Sequence, residues 1–133
     1  MTPHFVTKLT FEDDGGFPFT LTQDLVYVTE VRGVGKPVTN ARIIRVPAGF
    51  KTDLASIPKV LWSVLPPIGK YDAPAVLHDA LYQFDAATRK QADDVLYEAM
   101  KATSVGWRTR WTIYAGVRVG GWKSWNGYRH REV

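Results

Sequence analysis

The chain has 133 residues with 45% hydrophobic and 13% aromatic content, which sets an expectation of one folded domain and excludes a disordered polar chain. It has no cysteine, so disulfides, thiolate metal sites and cysteine nucleophiles are excluded, and no apolar run approaches the ~20 residues of a membrane span. The net charge of +4 is uneven: residues 1–106 carry 11 Lys and Arg against 12 Asp and Glu, whereas residues 107–133 carry 6 against 1.

The first 50 residues read as β structure, with three to five short antiparallel strands expected. The stretch "HFVTKLTF" alternates, "DDGGF" reads as a turn, and "DLVYVTEV" is rich in β-branched and aromatic residues. The segment "RGVGKPVTN" reads as a loop, and "ARIIRVPAGF" as a strand ended by Pro47 and Gly49. From Asp53 the texture changes. The proline-rich "SIPKVLWSVLPPIGKYD" is expected to be a structured loop with a short helical turn.

Three helices are expected next. The first, "DAPAVLHDALYQF", has Asp72 as its N-cap and Pro74 in its first turn, where a missing N–H costs little. The second, "TRKQADDVLYEAMKAT", has Thr88 and Gln91 at capping-box spacing. The third, "GWRTRWTIYAGVRVGG", is closed by Gly120 and Gly121. The remainder, "WKSWNGYRHREV", reads as a basic aromatic tail. The fold class is therefore α+β: N-terminal antiparallel strands followed by a three-helix core, in a single domain over 1–133. Its parts are a β-rich 1–50, a helical 51–121 bearing His-Asp, and the tail 122–133.

The second helix carries the main chemical signal. Asp93 precedes Leu96, Tyr97 and Met100 by three, four and seven, so it lies on the apolar stripe, while Asp94 and Glu98 turn away. A buried carboxylate needs a partner. The preceding helix offers His78 and Tyr82, four apart and on one face. Such a carboxylate would orient an imidazole able to act as a general base near neutral pH. Asp79 projects elsewhere and is available to a cation, with Asp53 in "KTDLAS" the best-placed second ligand of a calcium site. The competing reading is that His78 and Asp79 are neighbours on a solvated helix.

From "KTDLAS" through "LHDALYQ" and "TRKQADDVLYEAMK" to "WTIYAGVRVGG", the chain resembles the small bacterial and fungal phospholipase A2 enzymes over about residues 51–121. The whole chain also resembles a family of uncharacterised phage and prophage proteins. The phospholipase resemblance implies that His78 is the general base for water attacking an ester. Asp93 would hold its tautomer, and Tyr82 would support Asp93. It also implies calcium bound by Asp53, Asp79 and the Leu54 carbonyl. The implied partner is a phospholipid membrane surface or other phage proteins, with nucleic acid second to both. The expected location is host cytoplasm or virion, because "MTPHFVTKLTFEDD" has no basic stretch followed by an apolar run and reads as lacking a signal peptide. The alternative is a non-enzymatic virion or assembly protein of the tail, neck or capsid that keeps the fold. Against the phospholipase pattern, the chain lacks the disulfides of the secreted enzymes.

Overall fold

The computed structural model describes residues 2–12, 19–38, 41–52, 57–58, 60–61, 72–84 and 87–131. Among the described residues, seven short strands precede four helices. The strands are β1 (His4–Phe5), β2 (Phe11–Glu12), β3 (Phe19–Leu21), β4 (Leu25–Thr29), β5 (Lys36–Val38), β6 (Ala41–Val46) and β7 (Lys51–Thr52). The helices are α1 (Asp72–Gln83), α2 (Arg89–Ala102), α3 (Trp107–Gly120) and α4 (Trp122–Arg131). The fold is α+β, as the sequence implies.

The strands form two antiparallel sheets, ordered β1-β4-β6-β5 and β2-β3-β7. The central pair places Leu25 opposite Val46 and Tyr27 opposite Ile44. All five residues of β4 are buried, so it does not alternate; its chain of Val, Tyr and Thr suits a strand covered on both faces. The stretch "HFVTKLTF" is split between β1 and β2 instead of forming one strand. Part of the expected loop 32–40 pairs as β5. Gly35 makes its entry possible, because its φ is +76° and a Cβ there would stand 2.6 Å from the Ile43 carbonyl oxygen. The "DDGGF" turn lies outside the described residues, as does Trp62 of the proline-rich loop.

Helix α2 begins as its sequence signals. The Thr88 hydroxyl accepts from the Gln91 N–H, and the Gln91 side chain accepts from the Thr88 N–H. One glutamate fastens α2 to β4. Glu98 Oε1 accepts from Tyr27 Oη at 2.9 Å and Thr29 Oγ1 at 2.6 Å, and its Oε2 accepts from the Glu30 N–H at 3.1 Å. The larger apolar cluster unites the sheet with α1 and α4 through Tyr27, Val46, Leu77, Leu81, Tyr82 and Tyr128. A second cluster joins α2 to α3 through Leu96, Met100, Ile113 and Val117, with Ile57 inserted.

The tail is a fourth helix. Its Asn126 and Gly127 are weak helix formers, which hides it at the level of propensity. Packing supplies what propensity lacks. Tyr128 is buried, and Trp125 meets the Tyr82 ring edge-on at 5.3 Å between centroids.

Candidate functional site

Helical spacing builds the site. His78 and Tyr82 stand on one face of α1, with ring centroids 4.2 Å apart, and α2 turns Asp93 toward them. His78 Nε2 lies 2.7 Å from Asp93 Oδ1, and Tyr82 Oη donates to the same oxygen at 2.6 Å. A carboxylate only accepts, so this contact places a proton on Nε2 of His78 and leaves Nδ1 as the nitrogen remote from Asp93. His78 and Asp93 are fully buried.

The other Asp93 oxygen faces arginine. Arg118 Nη1 donates to Oδ2 at 2.8 Å, and Arg89 Nη1 stands 3.7 Å from it. Arg89 also donates to the carbonyls of Val117 and Arg118, both at 3.1 Å, and so caps the C-terminal end of α3. Burial pushes the Asp93 carboxyl up, but the hydrogen bonds from His78, Tyr82 and Arg118 outweigh it and hold the group below the ordinary carboxylate value. Burial, then the charge of Asp93, raises the Tyr82 phenol far above its usual range. Asp93 is therefore an anion at neutral pH, and Tyr82 is a neutral donor.

Gly121 belongs to the same arrangement. A Cβ at this position would lie 2.5 Å from Tyr82 Oη and 2.5 Å from the Val117 carbonyl oxygen. The third helix closes at Gly120 and Gly121, as the sequence suggests, and Gly121 has φ −71°, a right-handed value. The glycine is needed for the close approach of Tyr82.

Asp79 points away from this cluster, as its position beside His78 requires. It is fully buried. Its Oδ2 accepts from Thr52 Oγ1 at 2.6 Å and Gln83 Nε2 at 2.9 Å, and its Oδ1 accepts from Tyr128 Oη at 3.1 Å. It thereby ties β7, α1 and α4 together, and neither it nor His78 is solvated. Asp53 and Leu54 lie outside the described residues. Among the described residues, no group of three His, Asp or Glu side chains converges as metal ligands.

Sequence reasoning missed Arg118, Arg89 and Tyr128. For Arg118 no sequence signal sets the distance between α3 and Asp93, whereas Arg89 stands four residues before Asp93 on α2, a spacing the sequence does show. For Tyr128 one existed: Gly121, Trp125 and Tyr128 follow helical spacing, and the partly buried Trp125 and the buried Tyr128 lie on the inward face of α4.

Fold and site together define an α+β protein whose helices converge on a buried His–Asp–Tyr cluster joined by a partly exposed arginine. The chain belongs to the DUF1353 family, described as a protein of unknown function, which it matches over residues 19–117. No curated protein and no solved structure matches it.

Proposed function

We propose that this chain is a phage-type hydrolase of phospholipid esters, with His78 as general base. The observation that carries the reading is the 2.7 Å contact between His78 Nε2 and Asp93, reinforced on the same oxygen by Tyr82. In this reading Nδ1 of His78 takes the proton of a water as that water attacks the ester carbonyl. Asp93 stays ionised, fixes the tautomer and stabilises the imidazolium. The imidazolium then protonates the departing alkoxide, and fatty acid and lysophospholipid leave. Because His78 is buried, the site has to open for an ester to reach it.

Calcium belongs to the proposal as an ion held by Asp79, Asp53 and the Leu54 carbonyl. The donors that hold Asp79 from Thr52, Gln83 and Tyr128 are all neutral, which suits a divalent cation once one of these bonds gives way. When bound, the ion would polarise the ester carbonyl.

A lipid surface as partner is supported by the outer face of α3 and the start of α4. Trp107, Trp111, Val119 and Trp122 are exposed there. Arg108 lies 5.3 Å from the Trp107 ring and Lys123 lies 5.9 Å from the Trp122 ring. Residues 107–131 contain no Asp or Glu. Tryptophan interleaved with cations suits the headgroup layer of a bilayer. No described helix is long and apolar enough to cross a membrane.

The test is fatty-acid release from phosphatidylglycerol and phosphatidylcholine vesicles in calcium by the wild-type protein and His78→Ala. Release that the variant loses supports the reading; no release by folded wild type overturns it. A second reading, a virion or assembly protein that keeps the fold without turnover, is favoured by one observation. His78, Asp79 and Asp93 are all fully buried, and their bonds tie helices to one another. A stable place in a particle, with no lipolysis, is its expected signature.

A further inference from the structure

The outer seam between α2 and α3 carries a second constellation, separate from the His78 cluster. Asp94 and Tyr97 are three apart on α2, and Trp111 and Tyr114 are three apart on α3, so each helix turns a pair of side chains toward the other. These four residues line a cavity of about 250 Å³. That lies below the roughly 300–1,000 Å³ of sites for drug-sized molecules and matches a small headgroup.

The ring geometry is that of a corner. Tyr97 and Trp111 are 5.1 Å apart at 55°, Tyr97 and Tyr114 are 5.7 Å apart at 78°, and Trp111 and Tyr114 are 5.9 Å apart at 87°. Three rings at these angles and distances wall one cavity. Asp94 adds negative charge at the edge. Its Oδ1 accepts from Tyr114 Oη at 2.6 Å, which also fixes that ring, and its Oδ2 pairs with the largely exposed Lys90 at 2.8 Å. The Arg110 guanidinium already lies 5.3 Å from the centre of the Tyr97 ring, so this cluster draws a cation from within the chain. A cation is attracted to aromatic faces by the ring quadrupole, and a quaternary ammonium gains most because its hydration is weak and its methyl groups fill the apolar corner.

We propose that the Asp94–Tyr97–Trp111–Tyr114 cavity binds a quaternary ammonium group. Such a group comes from a soluble choline-like cation or from the choline headgroup of a phospholipid. The proposal stands on this seam alone and is independent of hydrolysis at His78.

The test is an NMR titration of the isotope-labelled chain with tetramethylammonium chloride against sodium chloride at matched ionic strength. We expect a saturable shift centred on Asp94, Tyr97, Trp111 and Tyr114 that sodium does not give. Trp111 is 54% exposed and Trp107, outside the cavity, is 61% exposed, so both tolerate truncation. Trp111→Ala is expected to weaken binding by about tenfold, and Trp107→Ala to leave it unchanged. Choline is expected to bind about tenfold more tightly than 3,3-dimethylbutan-1-ol, its neutral isostere. Sedimentation with phosphatidylcholine but not phosphatidylglycerol vesicles, lost in Trp111→Ala, assigns the lipid source. Saturation by free choline without such sedimentation assigns the soluble one. No saturation up to roughly 50 mM, where even a millimolar site fills, overturns the proposal. So does equal binding of the neutral isostere or of Trp111→Ala.

Discussion

Arg118 Nη1 meets Asp93 Oδ2 at 2.8 Å, on the oxygen that His78 does not use. The carboxylate is thus shared: one oxygen serves the imidazole and the phenol, the other a guanidinium. This division lets Asp93 remain charged in a site from which water is excluded. Removing the arginine leaves that charge under-compensated. Breaking a fully buried pair costs about 3–5 kcal/mol, and the partly exposed Arg118 side chain reduces this. Arg118→Met is expected to lose about 2 kcal/mol in urea unfolding at pH 7.

The same carboxylate sets an acid limb of stability. Its folded value lies below the ordinary carboxylate value, so its contribution is complete above about pH 4 and fades as pH falls through the lower folded value. Wild type is therefore expected to lose stability on acidification in this window. Asp93→Asn is expected to be weaker at pH 7 and to show a flatter acid limb. Unfolding free energies measured from pH 7 down to pH 2 check this, and parallel curves would contradict it.

Gly121 and Tyr82 are expected to be coupled. A methyl at Gly121 meets the Tyr82 hydroxyl, so Gly121→Ala is expected to cost about 2 kcal/mol. Tyr82→Phe removes the obstructing oxygen together with its bond to Asp93. In a double-mutant cycle the combined loss is expected to fall short of the sum, with rescue only partial because the Val117 carbonyl still crowds the methyl. Strict additivity would show that the two do not meet.

Glu98 is expected to be a structural anchor. Glu98→Ala leaves the buried Tyr27 hydroxyl and Thr29 without their acceptor, at a cost of about 3 kcal/mol. Hydrogen exchange is expected to quicken first in β4 and the facing turns of α2.

Part of this architecture is legible in the sequence, because local signals carry it. Thr88 and Gln91 mark the start of α2, and the apolar spacing of Leu96, Tyr97 and Met100 marks Asp93 as inward. His78 and Tyr82 are recognisable as its partners because a histidine and a tyrosine four apart share a face. Tertiary packing decides what the sequence hides. Gly121 reads as a helix stop, yet its reason is the Tyr82 hydroxyl on another helix. The tail reads as basic and aromatic, yet Tyr128 carries it inward to Asp79. Glu98 reads as solvent-facing, but β4 supplies it with three donors. Each depends on a neighbour remote in the chain, which no window of local sequence contains.

We propose that the His78–Asp93 pair performs general-base chemistry on an ester. The measurement that tests this most directly is the initial rate of sn-2 fatty-acid release from phospholipid vesicles in calcium by folded wild type and by folded Asp93→Asn. Positioned general-base catalysis is worth about 10²–10⁴-fold, so the variant is expected to be slower by at least about a hundredfold. Equal rates in the two proteins, or no release by folded wild type, would contradict the account.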